Sequence, residues 1–93
     1  MRTLLIGYDL SDTSSEAYEA VAVAIKANVT AWWHHLDSTW IVRTRLDPVA
    51  FRDALRSALP RASEVFVADI TDSATAWRGF SDSGTNWLER NLG

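Results

Sequence analysis

The spacing of hydrophobic and polar positions along the chain predicts four strands and two helices. Short runs that carry apolar side chains at alternate positions, or on both sides, are typical of strands. Such runs occupy residues 3–9, 30–36, 39–46 and 63–71. Apolar residues three and four positions apart predict amphipathic helices at about 15–27 and 48–59. The tail allows a short strand in AWRGF, residues 76–80, and a final helical turn in NWLERNL.

Capping residues mark the starts of both predicted helices. Ser14 or Ser15 can accept a hydrogen bond from the first turn of the first helix. Asp47 and Pro48 place an N-cap acceptor and a proline at the start of the second helix, where the missing proline N–H costs nothing. Pro60 ends this helix, because its ring cannot continue a helical backbone.

The order strand, helix, strand, strand, helix, strand predicts an α+β fold. With right-handed crossovers through each helix, this order gives the split βαββαβ, or ferredoxin-like, sandwich. The antiparallel sheet is expected in the order 4-1-3-2, with both helices on one face. Within it, strands 1 and 3 are expected to run in one direction, and strands 2 and 4 in the other. Residues 1–93 then form a single ferredoxin-like domain with a short C-terminal extension.

The sheet face away from the two helices predicts self-association. Apolar side chains alternate onto both sides of the first strand, where Leu4 and Leu5 point in opposite directions. Helices on one side would leave the other apolar side in water, which small monomeric domains avoid. A second copy of the chain would bury that side, so the pattern predicts a homodimer.

Composition excludes several classes of protein. The chain is 47% hydrophobic and has no cysteine, which excludes disulfides and thiolate metal sites. The first apolar run is broken by Gly7, Tyr8 and Asp9 and is too short for a signal peptide or a membrane span. We therefore expect no membrane association and a cytoplasmic location. The net charge of −3 counts against strong nonspecific nucleic-acid binding. Eight of the nine basic residues are arginine, which suits phosphate, but a GC-rich genome would give the same bias without a functional reason.

The segment AWWHHLDSTWIV, residues 31–42, holds both histidines and three of the five tryptophans. A zinc site needs three or four converging ligands. His34 and His35 are neighbours on a strand and should point to opposite faces, and Asp37 adds only one further ligand to His35. The spacing favours structural histidines, tryptophans in the core or the dimer face, and a turn held by Asp37 or Ser38.

The expected strand directions also group the acidic residues. They place the hairpin at the edge where the fourth strand ends, so that His35, Asp37, Asp69 and Asp72 could gather there. They place Asp9 at the opposite edge of the sheet, near Arg43 and Arg45 at the end of the third strand and near Glu64 at the start of the fourth. On this reasoning Asp9 and Asp69 do not share a site within one subunit.

Asp9 is the strongest single candidate for chemistry. It ends a central strand, where an ionised carboxylate is costly unless it is paired or bound to a metal. One interpretation is a cap of the following turn, or an ion pair with Arg43 or Arg45. The other is a ligand of a hard divalent cation such as Mg²⁺, which takes few protein carboxylates and completes its shell with water and phosphate oxygens. A dimer could bring two copies of Asp9 to one ion.

Four phrases of the sequence carry a family resemblance: LLIGYDLSD, WWHHLDSTWIV, EVFVADIT and AWRGF…WLERNL. They resemble small bacterial proteins of the SinR-family or CRISPR-associated Cas-two-like kind, with the VapD-type toxins as wider relatives. The resemblance implies a ferredoxin-like fold and a homodimer. It also implies that the aspartate after Tyr8, which is Asp9, binds a metal at the dimer cleft.

Two functions follow from the resemblance and the residues together. The first is a non-enzymatic dimeric module that binds nucleic acid or a protein partner, with Tyr8, Arg43 and Arg45 as candidate nucleic-acid contacts. The alternative is an endoribonuclease or endodeoxyribonuclease that uses Mg²⁺ held by paired Asp9 side chains. An accessible Asp9 without an arginine partner would favour the nuclease, whereas an arginine surface or an exposed aromatic patch would favour the module.

Overall fold

The structure, a computed structural model, describes residues 1–92 and contains four strands and three α-helices. The strands are β1 (Arg2–Asp9), β2 (Ala31–Leu36), β3 (Thr39–Thr44) and β4 (Glu64–Asp69). The helices are α1 (Ser15–Lys26), α2 (Pro48–Ala54) and α3 (Asp82–Leu92). Within residues 1–92 no helix could cross a bilayer, since a span needs about 20 residues and the longest helix, α1, has 12.

The predicted capping residues start the first two helices. The Ser14 side chain accepts a hydrogen bond from the backbone N–H of Ala17, and the Asp47 side chain accepts one from Ala50. α2 is shorter than predicted: it ends at Ala54 and is followed by a 3₁₀ turn, Arg56–Ala58. Leu59 is already extended, because the residue before a proline is sterically kept out of the helical region.

The sheet has the order β2-β3-β1-β4, which is the predicted order read from the other edge, and it is compatible with a ferredoxin-like arrangement. All three neighbouring pairs are antiparallel. The expected shared direction of strands 1 and 3 is therefore wrong. A crossover through α1 makes β2 parallel to β1, and the hairpin then turns β3 against both, so that β3 fits between them as an antiparallel neighbour.

The corrected directions separate groups that the sequence had placed together. Gly7 lies opposite Thr39, so the hairpin is beside the end of β1, while Asp69 lies opposite Leu4 near the start of β1. The expected gathering of Asp69 with the hairpin residues is wrong. Asp69 instead pairs with Arg2, at 2.8 Å.

The same register rules out the arginine partner expected for Asp9. Asp9 lies opposite Glu64, whereas Arg43 lies opposite Thr3 at the other end of β1. The guanidinium of Arg43 donates to the Thr3 hydroxyl at 2.8 Å. Arg45 follows the end of β3 and is equally remote along the strand from Asp9.

The main core lies between one sheet face and the helices α1 and α2, which agrees with the prediction that both helices share a face. The side chains of β1 and β3 that point to this face are completely or almost completely buried against both helices. They include Leu4, Ile6, Trp40 and Val42 from the strands, Val21 and Ile25 from α1, and Phe51 and Leu55 from α2.

A second, smaller core covers part of the opposite sheet face. Trp33 and Ile41 of the sheet pack against Leu88 of α3, with Trp77 and Phe80 around them. The predicted strand in residues 76–80 is not formed, and the predicted helical turn is an 11-residue helix. The sequence predicted that the opposite face would be bare, but the chain's own C-terminal segment covers part of it.

Candidate functional site

The hairpin between β2 and β3 contains a β-bulge at the two histidines. Trp33 pairs with Ile41 and Leu36 pairs with Thr39, so β2 advances three residues while β3 advances two. The extra residue breaks the strict alternation of side chains in this stretch. Because a bulge can turn two adjacent side chains toward the same side of a strand, the ring positions show whether His34 and His35 converge.

The two imidazole rings diverge in spite of the bulge. The His34 ring stacks on Trp40 with 3.9 Å between ring centroids, and its Nε2 donates to the carbonyl oxygen of Asp37 at 2.9 Å. The centroid of the His35 ring lies 5.1 Å from that of Trp33, and the ring occupies the space beside Gly84 of α3, where a Cβ atom would come within 3.3 Å of it. Among residues 1–92 no three histidine or carboxylate side chains are grouped to hold a metal ion. The hairpin side chains thus join the two cores rather than form a chelate.

Backbone groups, more than side chains, hold the turn. The Asp37 carbonyl accepts from His34, and the Ser38 carbonyl accepts from the backbone N–H of Tyr8 at 3.1 Å. The second bond ties the turn to the end of β1. Asp37 is exposed and Ser38 is half-buried.

Tyr8 belongs to the main core. Its hydroxyl accepts a hydrogen bond from Trp40 Nε1 at 2.9 Å, and burial raises the pKa of this hydroxyl above its ordinary value, although the bond from Trp40 opposes the shift. The nucleic-acid role of Tyr8 stays a prediction, and the burial of the ring leaves little of the side chain for stacking on a base.

Asp9 is exposed and lines a shallow hollow with Glu64, which lies directly opposite on β4. Gly7 and Phe66 form another facing pair in the same hollow. Within residues 1–92 Asp9 forms no salt bridge. Two carboxylates on facing strand positions repel each other unless a cation lies between them. Asp9 and Glu64 could supply two oxygen ligands to Mg²⁺, which commonly takes one or two protein carboxylates and water for the rest.

An apolar groove on the second sheet face is the feature that the sequence did not reveal. It has a volume of about 350 Å³ and lies between Ile41 of the sheet and the C-terminal residues Trp77, Phe80 and Leu88. The only signals in the sequence were the aromatic residues of AWRGF and the spacing of Leu88 and Leu92. Neither signal shows that the tail folds back over the sheet.

Asp69, which the sequence had assigned to the hairpin edge, is instead a strongly bonded carboxylate. The hydroxyl and the N–H of Thr71 both donate to its Oδ1, at 2.6 and 2.9 Å, and Arg2 donates to its Oδ2 at 2.8 Å. These bonds, the one from the Thr71 hydroxyl foremost, lower the pKa of Asp69 to about 2. Because this pKa lies below the unfolded value of about 3.9, the bonded carboxylate stabilises the fold above about pH 4.

We expect that stabilisation to disappear as the pH falls from about 4 to about 2. The measurement is urea unfolding of wild type and Asp69→Asn at pH 6, 4, 3 and 2. The wild type should be the more stable protein at pH 6, and the difference should shrink steadily below pH 4. A difference that stays constant down to pH 2 would show that Asp69 does not titrate as these hydrogen bonds require.

Comparison of the chain with protein-family models, curated proteins and solved structures found no match in any of the three.

Proposed function

We propose that the protein is a Cas-two-like homodimeric binding module without catalytic activity, built on a ferredoxin-like fold. One observation carries the proposal: the half of the second sheet face formed by β1 and β4 presents Phe66, whose side chain is 67% exposed. The cytoplasmic location predicted by the sequence stays a prediction.

Phe66 stands at an open edge of the sheet. β4 pairs with β1 on one side and is the last strand of the sheet, so within residues 1–92 its outer backbone groups have no strand neighbour. An exposed aromatic side chain on an edge strand favours association, because its burial removes a large apolar area from water and the edge can accept another chain.

The surface beside Phe66 suits a second copy of the same chain. Gly7 lies directly opposite Phe66, and a Cβ atom placed on Gly7 would meet no atom within 4 Å. The patch thus has the exposed ring of Phe66 next to the open space over the backbone of Gly7. In a two-fold symmetric dimer the same patch meets itself, so each ring can lie over the glycine strip of the other copy.

Charge favours a protein partner over nucleic acid for the assembled module. The net charge is −3, and three arginines of the described chain, Arg2, Arg52 and Arg56, are already paired with aspartates. Arg43 is bonded to Thr3. A protein that binds phosphates by charge needs free basic side chains in a stripe or patch.

The test of the dimer is Phe66→Asp. Light scattering at micromolar concentration should give wild type twice the mass of the chain and Phe66→Asp the mass of one chain, because a carboxylate cannot be buried unpaired in an apolar interface. Val49→Asp is the matched control, since Val49 is also highly exposed, at 58%, but lies on α2. A monomeric wild type, or monomers from both variants, would contradict the proposal.

A second function is favoured by the exposure of Asp9. This carboxylate is accessible, has no basic partner within residues 1–92 and lies opposite Glu64, as a metal-dependent endoribonuclease or endodeoxyribonuclease would need. Bound Mg²⁺ would supply a water of lowered pKa for attack on a phosphodiester. Both acidic residues border the patch at which we propose that two copies meet, so a dimer would bring two such pairs close together.

A further inference from the structure

The groove on the second sheet face has the size and lining of a site for a small molecule. Its volume of about 350 Å³ falls at the lower end of the range of about 300–1,000 Å³ that is typical of ligand pockets. Its walls are mainly apolar and come from both the sheet and the C-terminal segment. They include Trp33, Ile41, Trp77, Phe80, Leu88 and Leu92.

The roof of the groove is formed by a segment without regular structure. Residues 70–81 run from the end of β4 to α3, with left-handed backbone conformations at Asp72 (φ 59°) and Gly79 (φ 91°). Trp77 and Phe80 of this segment pack against Trp33, Ile41 and Leu88 of the second core. The groove is consequently bounded by large side chains on several sides without being filled by any of them.

The polar part of the lining is small and carries one charge. Among the described residues that line the groove, Arg78 is the only ionisable one, and the other polar side-chain groups are the hydroxyls of Thr39 and Thr75 and the indole N–H groups of Trp33 and Trp77. Within residues 1–92 Arg78 takes part in no salt bridge. A guanidinium at the margin of an apolar groove is complementary to a carboxylate, with which it can form two parallel hydrogen bonds.

We propose that this groove binds a small amphipathic carboxylate, with its apolar body against Trp33, Ile41 and Leu88 and its carboxylate at Arg78. Burial of the body supplies the affinity, because about 25 cal/mol is gained for each Å² of apolar surface removed from water. The guanidinium of Arg78 favours a negatively charged end group of the ligand over a neutral or a positive one. Neither Phe66 nor Gly7 lines the groove, although Thr39 of the groove lies directly opposite Gly7 on the same sheet face.

Three probes of equal chain length test the proposal: octanoate, octan-1-ol and octylamine, each titrated into the full chain by calorimetry. Octanoate should bind about tenfold more tightly than octanol, because one charge-assisted hydrogen bond contributes roughly that difference in affinity. Octylamine should bind most weakly. Arg78→Gln should reduce the affinity for octanoate to that for octanol. Arg61→Gln is the matched control, because Arg61 is an exposed arginine that does not line the groove.

A second variant separates the groove from general surface binding. Ala76 is an exposed residue of the groove lining, and Ala76→Phe should place a ring in the space that the probe occupies and abolish binding of octanoate. Circular dichroism shows that each variant is folded before it is titrated. Three results would each overturn the proposal: no measurable binding of octanoate at millimolar concentration, equal affinity for octanoate and octylamine, or unchanged binding by Ala76→Phe.

Discussion

Replacing Trp33 with alanine is expected to lower the free energy of unfolding by about 3–5 kcal/mol. The Trp33 side chain is 2% exposed and is the centre of the second core. Its ring lies edge-on to that of Phe80, with 4.8 Å between the ring centroids, and its Nε1 donates to the carbonyl oxygen of Gly84 at 3.2 Å. The substitution therefore removes both the apolar contact and the hydrogen bond that hold α3 on β2.

Trp32→Ala is the matched control, because Trp32 is the preceding residue and is 43% exposed. Its ring contacts Trp40, at 5.4 Å, and the ammonium group of Lys26, at 4.5 Å, and its loss should cost only about 1 kcal/mol. Urea unfolding gives the two free energies, and amide hydrogen exchange reports α3 separately. Exchange in α3 should become fast in Trp33→Ala alone. Equal losses in the two variants would mean that Trp33 does not hold α3 in place.

Asp9→Asn is expected to abolish any Mg²⁺-dependent cleavage of RNA or DNA by this protein. Asparagine keeps the shape of the side chain and removes the charge that a hard cation requires. The assay follows labelled RNA, single-stranded DNA and duplex DNA with Mg²⁺, with Mn²⁺ and with chelator. Cleavage should require a metal and vanish in Asp9→Asn. It should persist in Asp72→Asn, where an exposed aspartate outside the hollow is changed in the same way.

The unfolding free energy of Asp9→Asn and the cleavage rate of His35→Ala test whether Asp9 itself is the metal ligand. Since Asp9 lies opposite Glu64 and not an arginine, Asp9→Asn should leave the free energy of unfolding unchanged or slightly higher. Cleavage of equal rate in wild type and Asp9→Asn would identify a contaminating nuclease and leave the binding module as the remaining function. Loss of cleavage in His35→Ala with thermal stability intact would move the site to the hairpin.

Local chemistry explains why much of the fold was predictable. Ser14 and Asp47 cap their helices as expected, because an N-cap requires only an oxygen acceptor and the N–H groups two or three residues later. The strand order was also predictable from the element order and the handedness of crossovers. The predicted shared direction of strands 1 and 3 is wrong, because the right-handed crossover followed by the hairpin makes β1 and β3 antiparallel neighbours.

The length of α3 could not be predicted from neighbouring residues alone. Gly84 and the polar residues around it have low helix propensity, so the sequence predicted a single helical turn where α3 has 11 residues. The helix is stabilised by contacts distant in sequence: Leu88 packs against Trp33, and the carbonyl of Gly84 accepts from the same tryptophan. Helices in proteins gain most of their stability from such packing.

The sequence by itself determined the strands, the first two helices with their capping residues, and the nearness of Asp9 to Glu64, because each depends on periodicity, on groups a few residues apart or on the order of the elements. The tertiary structure alone decided that Arg43 lies at the far end of β1 from Asp9, that the tail covers part of the second sheet face, and that a groove with Arg78 at its margin lies beneath it. Each of these features depends on residues that are tens of positions apart in the sequence. Contacts over that distance depend on register and packing, and no spacing rule along the chain encodes them.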